Sequence, residues 1–207
     1  MFVLKNVNFK GILNYSDIEI PKGGATFICG ESGSGKSTLL KLLNGILSPT
    51  SGEITYLHKV LEDYDPILLR REILLVSQSV YLFDKTIKEN FDEYYAYRNL
   101  EPLCEEQIKS YLDICMVNLP VDSMCHVLSG GERQRVFIAI NLSYKPKVFM
   151  MDEPTSALDD KNANALMENI KAHCNANGTT LIVVSHDRAI AERYADNVIY
   201  LTGGDKP

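Results

Sequence analysis

One eight-residue segment constrains this chain more than any other. Gly30–Ser37 matches the pattern G-x-x-x-x-G-K-[ST]. The apolar run Ala25–Cys29 before it is typical of a strand covered on both faces, and the leucine-rich segment Thr38–Gly45 after it is typical of a helix packed on a sheet. Glycines in such a loop let successive backbone N–H groups face inward, where they surround phosphate oxygens. The segment therefore predicts a phosphate-binding loop between a strand and a helix.

The loop also carries two side chains suited to a nucleotide. Lys36 can reach the β- and γ-phosphates, and the Ser37 hydroxyl can ligate Mg²⁺. The alternative, a glycine-rich turn with an exposed lysine, does not explain the strand and helix on either side. The residues expected to contact a bound nucleotide here are Gly30, Glu31, Ser32, Gly33, Ser34, Gly35, Lys36, Ser37 and Thr38.

Two adjacent carboxylates follow another apolar run, Val148–Met151. In open parallel sheets ligands bind at the carboxyl ends of the strands, so Asp152 is expected beside the phosphate loop. There Asp152 would hold Mg²⁺, directly or through water, and Glu153 would orient and polarise an attacking water. Alone, such a pair is typical of a strand that meets solvent. Together with the loop it indicates nucleotide hydrolysis.

The segment Leu128–Arg135, which reads LSGGERQR, opens a predicted helix that runs from Gly130 to Tyr144. Ser129 suits the N-cap, and Glu132 lies three residues later, as in a capping box. Two glycines in the first turn nevertheless weaken a helix. They are explained if the backbone approaches an anion closely. From the residues alone, a capped helix start and an anion site both stay open.

Composition and charge narrow the function classes. The chain has 207 residues, and 21 Lys and Arg against 27 Asp and Glu give a net charge of −6. Without a basic stripe, nucleic-acid binding is disfavoured. The chain shows no signal peptide and no apolar run near the roughly 18–20 residues of a membrane span. We therefore expect a cytoplasmic protein that does not itself insert into a membrane.

The five cysteines form an odd set without a C-x-x-C pair, so we expect reduced thiols. Zinc is disfavoured because the only closely spaced ligands, Cys125-His126 and His173-Cys174, are adjacent residues, which rarely face one metal.

The pattern of elements predicts an α/β fold. Short strands are expected at Leu4–Phe9, Ile18–Ile20 and Glu53–Leu57, a buried strand at Ile73–Ser77, and apolar strands at Thr180–Val184 and Val198–Leu201. The later strands alternate with helices, which favours a parallel sheet covered on both faces. Residues 85–128 differ in texture and are predicted to form a small, mostly helical insertion. Within it, Tyr94–Tyr97 is interpreted as local core, with a partner-docking surface as the alternative.

Taken in order, these motifs resemble an ABC-type ATPase. Gly30–Ser37, Gln78, Leu128–Arg135, Val148–Glu153, Ser156–Asp159 and His186 correspond to its Walker A, Q-loop, signature, Walker B, D-loop and switch histidine. The resemblance covers about residues 3–201, and the signature string is close to diagnostic. It implies one domain over 1–207: a P-loop NTPase core with a mostly parallel sheet, an N-terminal antiparallel β part and the helical subdomain at about 85–128.

The resemblance also implies roles. ATP on one protomer would be closed over by Ser129, Gly130 and Gly131 of a second protomer, in an ATP-induced homodimer. Gln78 would join the Mg²⁺ and water shell and sense a partner. His186 would contact the γ-phosphate, and Asp159 would communicate across the dimer. The implied catalytic set is Glu153, His186, Gln78 and Lys36, and the implied metal set is Ser37, Gln78 and Asp152.

Two departures from the family pattern matter. Family members place an aromatic residue that stacks on adenine just after the first strand, where the shortened stretch Phe9–Ile12 of this chain has Lys10 or Gly11. Base recognition is therefore expected to be loose, with Tyr15 as a nearby substitute. The segment Ser79–Asn90 resembles exporters, whereas Asp122–Val127 lacks their acidic-glycine loop. The finer resemblance is to short, stand-alone ATP-binding subunits associated with iron or metal export.

The leading expectation is thus an ATPase subunit, peripheral on the cytoplasmic face of a membrane, that powers transport through a separately encoded membrane protein. The alternative is a non-transport ABC ATPase that acts in DNA repair or on ribosomes. The 51 positions from Gln78 to Ser129 carry no heptads, which disfavours the coiled-coil repair type. A small-molecule kinase would leave the signature unexplained.

Overall fold

The computed structural model describes residues 1–201 of the chain. Its strands are β1 (Phe2–Phe9), β2 (Leu13–Tyr15), β3 (Ile18–Ile20), β4 (Ala25–Gly30), β5 (Ser51–Tyr56), β6 (Lys59–Val60), β7 (Ile73–Val76), β8 (Val148–Asp152), β9 (Thr180–Val184) and β10 (Asn197–Leu201). Its helices are α1 (Lys36–Leu43), α2 (Pro66–Glu72), α3 (Ile87–Ala96), α4 (Glu105–Ile114), α5 (Gly130–Ser143), α6 (Asp160–Ala176) and α7 (Arg188–Tyr194).

A parallel five-stranded sheet forms the centre, in the order β10-β4-β9-β8-β7. Every residue of β8 and β9 is buried. Such continuous apolar strands are stable only when both faces of the sheet are covered. Because all five strands run the same way, their carboxyl ends lie along one edge. The predicted parallel sheet is confirmed.

A second, antiparallel sheet is built around β1. One side of β1 pairs with β2 and β3 in turn, the other side pairs with β5, and β6 completes the sheet beyond β5. This is the expected N-terminal antiparallel part. The short strands β2 and β6 were missed in the sequence, and the two residues of β6 are too few for alternation to show.

Alternate side chains of the central sheet enter two cores. Ile28, Met150 and Ile182 pack with the leucines of α1 and with the antiparallel sheet. Phe27, Phe149 and Val183 point to the other face and pack with α3, α4, α5, α6 and α7. This two-sided covering is what the period of two in a strand dictates. In the part of the chain described, no helix has the length and apolar character needed to cross a bilayer.

The predicted helical insertion contains α3 and α4. Its ends are tied together, because Ile87 N donates to Ser123 O at 3.0 Å and Cys125 N donates to Lys85 O at 2.9 Å. The chain therefore leaves and rejoins the α/β core at one place. Phe91 of α3 is fully buried in the same core as the central sheet. The division into one domain with a separate helical subdomain stays a prediction.

The helix α2 was not predicted. It holds Pro66 in its first turn, and the Asp65 carboxylate accepts hydrogen bonds from Ile67 N and Leu68 N at 2.8 and 2.9 Å. Proline followed by a capped turn is a helix-start signal. Ile67 and Leu68 are exposed, and Leu69 is the helix's buried residue, so the segment lacks the apolar periodicity of longer helices.

Candidate active site

The candidate site lies at the carboxyl edge of the central sheet. Gly30 ends β4, Asp152 ends β8, and His186 follows two residues after β9. In the sheet register Asp152 lies opposite Val184, and Val184 lies opposite Ile28. Three sequence motifs that are far apart in the chain therefore meet on neighbouring strands.

The loop after β4 needs glycine at two crowded positions. Gly30 has φ +155°, and a Cβ there would lie 2.4 Å from Leu201 O. Gly35 has φ +93°, and a Cβ there would lie 2.7 Å from the Tyr15 hydroxyl oxygen. Both conformations are left-handed, and both sites lack room for a methyl group. The backbone of the predicted phosphate loop is thus set by glycine.

Lys36 holds this loop together from inside. It is 5% exposed, and its Nζ donates to Gly30 O at 2.8 Å and to Glu31 O at 2.7 Å. A lysine ammonium has three donors, so one is left for a further acceptor. A buried ammonium that faces the loop interior is suited to bind a phosphate oxygen. The Ser34 hydroxyl, also buried, has no hydrogen-bond partner among the described residues.

The helix α1 begins directly at Lys36, earlier than the predicted start at Thr38. Its N-cap is Gly35, and no side chain caps it. The first N–H groups of a helix lack intrahelical partners and carry the positive end of the dipole. Uncapped, these N–H groups suit an anion.

Tyr15 is not free to stack on a base. Its side chain is buried at 4% exposure, and its hydroxyl donates to Gly35 O at 2.8 Å. The turn before it, Lys10 and Gly11, has left-handed backbone and is exposed, and Ile12 is 70% exposed. The expectation that Tyr15 substitutes for the missing aromatic residue was wrong, because this tyrosine packs under the loop.

Asp152 is a buried carboxylate with an unused oxygen. The residue is 7% exposed, and its Oδ1 has no hydrogen-bond partner in the described structure. A buried carboxylate oxygen without a donor is costly unless a cation or water binds it. The position therefore has the chemistry of a ligand for a hard cation.

Glu153 is held in an unusual backbone conformation, with φ +53°. Its N–H donates to Val184 O at 3.0 Å, and its carbonyl accepts from Ser156 Oγ at 3.1 Å and from Gln134 Nε2 at 3.4 Å. A left-handed non-glycine residue persists only where the surroundings over-determine it. These bonds re-aim the Glu153 side chain at the point where the chain leaves the sheet.

His186 meets Glu153 directly. The His186 Nε2 to Glu153 Oε1 distance is 2.5 Å, and the two side chains are 47% and 19% exposed. His186 lies between two clefts, one lined by Gly30 and Glu31 and the other by Glu153 and Ser156. The predicted catalytic pair is therefore in contact beside the phosphate loop.

Gln78 lies at the same edge but farther along it. It follows β7, the outermost strand beside β8, and it is exposed on a bend. No hydrogen bond of its side chain is found among residues 1–201. Its place next to the Asp152 strand agrees with a role at the rim of the site.

Ser129, Gly130 and Gly131 begin α5. Ser129 Oγ donates to Glu132 Oε2 at 2.6 Å, and Glu132 N donates back to Ser129 Oγ at 3.3 Å, which confirms the capping box. These bonds from Ser129 hold the pKa of Glu132 below its usual range. No hydrogen bond joins this segment to Gly30–Ser37 in the described part of the chain.

Neither glycine of this segment is required by the fold. Both have ordinary φ values, and a Cβ at Gly130 would meet no atom within 4 Å. A Cβ at Gly131 would make only ordinary contacts, 3.5 Å from Arg135 Nη1 and 3.7 Å from Ala157 O. Contacts within residues 1–201 thus do not explain the pair.

Asp159 has a structural duty of its own. It caps α6, and its carboxylate accepts from Asn162 N at 2.9 Å and from Asn162 Nδ2 at 2.6 Å. These donors lower the pKa of Asp159. Its predicted part in communication between protomers is not tested by these contacts.

Sequence reasoning missed two supporting residues. Gln134 bonds the Glu153 carbonyl from inside α5, and Tyr15 bonds Gly35 from β2. Both are side chain to backbone contacts between distant segments, for which the chain gives no local signal. Ser156, which begins the segment that resembles a D-loop, stabilises the turn after Glu153 through its bond to Glu153 O.

Comparison with known proteins identifies the family. The family model described as ABC transporter matches residues 13–156. The chain is 37% identical over 203 residues to the L-cystine import ATP-binding protein TcyC of Bacillus subtilis, covering 93% of this chain and 81% of that protein. It is 35% identical over 217 residues to the phosphonates import ATP-binding protein PhnC of Bordetella parapertussis, covering 94% and 83%.

The fold matches solved cassettes of the same family. The dimeric structure of MJ0796, a bacterial ABC transporter cassette, superposes with a TM-score of 0.83 at 29% identity, over 99% of this chain and 95% of that one. The same cassette has also been solved as a dimer in a post-hydrolysis state bound to ADP and Pi.

The chain belongs to the ABC transporter family. It is an ATP-binding, ATP-hydrolysing subunit that powers transport through a membrane partner, which confirms the expected fold, activity and function. The narrower expectation of iron or metal export is not confirmed, because the relatives are named for cystine and phosphonates.

Proposed function

We propose that this subunit hydrolyses ATP at a composite site, with Lys36, Asp152, Glu153 and His186 from one protomer and Ser129–Gly131 from a second. The observation that carries the proposal is the contact between Glu153 Oε1 and His186 Nε2 at 2.5 Å, on the strand edge that also carries the phosphate loop. Two side chains that can accept or donate a proton, Glu153 and His186, thus lie beside a loop suited to bind an anion.

A magnesium ion fits the residues present. Asp152 offers a buried carboxylate oxygen without a partner, and Ser37 and Gln78 add a hydroxyl and an amide oxygen from the neighbouring loop and strand end. Mg²⁺ prefers such oxygen ligands and completes its shell with water and substrate phosphates. When bound, the ion neutralises charge that develops on the phosphates.

Glu153 and His186 have different roles in this proposal, one toward the attacking water and the other toward the phosphate. The Glu153 carboxylate accepts a hydrogen bond from the attacking water and orients it, because its backbone is held from both sides. His186 is half exposed and lies between the two clefts, where its ring can leave Glu153 and donate to a phosphate oxygen. Lys36 donates its free N–H to the phosphates.

The glycine pair supports a role in trans. Gly130 is exposed, with open space where a side chain would lie, so the helix start of α5 can approach a second molecule closely. Its N-terminal N–H groups and the Ser129 hydroxyl suit an anion there. A similar cassette has been solved as a dimer, which supports the pairing of two protomers in this proposal.

The membrane partner docks, in this proposal, on the aromatic surface formed by Tyr81, Phe83, Tyr94 and Tyr97. Tyr81 and Tyr97 are 62% and 70% exposed, and Phe83 packs edge-on against Tyr81 at 5.0 Å between ring centroids. Exposed aromatic residues are enriched at protein interfaces. The surface follows Gln78 closely in the chain, so docking there can be felt at the rim of the site. Tyr95, by contrast, is core.

Co-purification tests the docking proposal. The Glu153→Gln protein, expected to accumulate in the ATP-bound dimer, is incubated with detergent-solubilised membranes of the source cell and recovered by affinity tag. We expect a membrane protein to be retained, and retention to fall in Tyr81→Ser/Tyr97→Ser. The control, Leu57→Ser, changes an exposed apolar side chain elsewhere. Equal retention by all three proteins would reject the aromatic surface as the docking site.

Base recognition is proposed to be loose. The turn at Lys10 and Gly11 offers no ring, and Tyr15 is buried. Competition of GTP with ATP for hydrolysis measures this, and strong preference for ATP would contradict it.

Attachment to the cytoplasmic face of a membrane follows from the docking proposal. Iron or metal export stays a prediction, and metal content of cells lacking the protein tests it.

A further inference from the structure

The edge strand β2 buttresses the phosphate loop. Its two inward side chains, Leu13 and Tyr15, both reach Gly35: a Cβ at Gly35 would lie 2.9 Å from Leu13 Cδ1 and 2.7 Å from the Tyr15 hydroxyl oxygen. Among residues 1–201 the strand pairs only with β1, so it belongs to the antiparallel sheet and not to the sheet that carries the loop. The two sheets thus meet at the last glycine before Lys36.

The hydrogen bond from Tyr15 acts on a particular peptide group. Gly35 O accepts from the Tyr15 hydroxyl at 2.8 Å and from Leu39 N at 2.8 Å. The carbonyl of Gly35 and the N–H of Lys36 belong to one planar trans peptide and point in opposite directions. Holding that carbonyl therefore fixes the direction of the Lys36 N–H, which is one of the uncapped N–H groups at the start of α1.

Tyr15 acts by this route on phosphate binding, although it does not touch the phosphate itself. Gly35 has left-handed backbone and no side chain to restrain it. Glycine has the widest conformational freedom of any residue, so an empty loop loses entropy when it binds. A second bond to the Gly35 carbonyl limits that freedom before the nucleotide arrives.

We propose that Tyr15 is a positioning residue that pre-orders the Gly35–Lys36 peptide for the phosphates of ATP. This rests on ATP binding at Gly30–Ser37. The tyrosine remains a donor at physiological pH, because burial raises its pKa above the ordinary value. The residue is 4% exposed, so bulk water has little access to it as a competing partner.

The test removes the hydroxyl alone. Tyr15→Phe keeps the ring that fills the space beside Gly35. One net hydrogen bond corresponds to about a three- to tenfold change in an equilibrium constant, so the Kd for a fluorescent ATP analogue and the KM for ATP should rise about threefold to tenfold. We expect kcat to stay within about twofold, since Tyr15 does not contact the reacting atoms. Should Tyr15→Phe not fold, Tyr15→Met is measured in the same way.

A matched control packs against the same antiparallel sheet, where it bonds to β5. The Tyr64 hydroxyl also donates to a backbone carbonyl, Tyr56 O, at 2.6 Å, away from the loop. Tyr64→Phe should therefore leave the Kd for the ATP analogue unchanged. Wild-type protein and Lys36→Ala serve as the positive and negative controls for binding of the ATP analogue. If the wild type does not bind the analogue, the proposed ATP site at Gly30–Ser37 is wrong, independently of Tyr15. An unchanged Kd in Tyr15→Phe, or an equal rise in Tyr64→Phe, would overturn the proposal.

Discussion

Replacing either glycine of the α5 start by alanine separates stability from activity. Gly130→Ala adds a methyl group into open space, and Gly131→Ala adds one at ordinary contact distance from Arg135 and Ala157. Both residues have ordinary backbone angles. Within the described residues 1–201, neither substitution therefore meets a clash or a strained conformation.

The expected gain in stability follows from the unfolded chain. Alanine in place of glycine at a compatible site raises the free energy of unfolding by about 0.4–1 kcal/mol. For a domain of this size that corresponds to a rise in Tm of about 1–3 °C. Thermal unfolding without nucleotide, followed by circular dichroism, measures this change.

The ATPase activity of these variants should fall, although their stability rises. If the backbone here approaches ATP of a second protomer, a methyl group at either position pushes the two apart. We expect ATP-driven dimerisation, measured by light scattering in the Glu153→Gln background, to weaken, and the ATPase rate to fall about tenfold or more, as for one misplaced electrostatic contact. Ser110→Ala, on the exposed face of α4, is the control. Variants that are stabilised and still dimerise and hydrolyse ATP as wild type would refute the role in trans.

Three further changes test other parts of the account. Phe91→Ala opens a cavity in the core shared by α3 and the central sheet, so it should cost about 3–5 kcal/mol in urea unfolding while keeping one cooperative transition; two separate transitions would argue against a shared core. Asp152→Asn should raise the Mg²⁺ concentration for half-maximal ATPase about tenfold or more, and an unchanged Mg²⁺ titration would remove Asp152 from the metal set. The Lys171 ammonium holds the pKa of Asp196 below its usual range, so this carboxylate stabilises the fold at neutral pH and stops doing so as the pH falls below about 4. The difference in urea midpoint between wild type and Asp196→Asn should accordingly shrink from pH 7 to pH 3, and a constant difference would contradict this.

The central sheet could be predicted because β4, β8 and β9 are buried on both faces and leave continuous apolar runs, such as Val148–Met151. The order of motifs also predicted that Asp152, Glu153 and the phosphate loop lie at one edge of the sheet, because the carboxyl ends of parallel strands lie along the same edge. The helix start at Ser129 could also be predicted, since a capping box is a local sequence pattern.

Contacts between distant segments could not be predicted. Tyr15 lies 20 positions before Gly35, and only the packing of β2 on the loop decides that its hydroxyl bonds there instead of facing a base. The left-handed backbone of Glu153 likewise depends on Val184, Ser156 and Gln134, which are set by the assembled sheet and helices. The strand β6 was missed because two residues are too few for periodicity to show, and α2 because its exposed Ile67 and Leu68 interrupt the apolar pattern.

The most direct test of the account is the ATPase rate of Glu153→Gln together with its state of assembly. Glutamine keeps the shape of the side chain but cannot accept a proton from water. We predict that the variant binds ATP, accumulates as an ATP-bound dimer and hydrolyses about 100- to 1000-fold more slowly than wild type. Hydrolysis at the wild-type rate would show that Glu153 is not the residue that activates water, and the assignment of this site would fail.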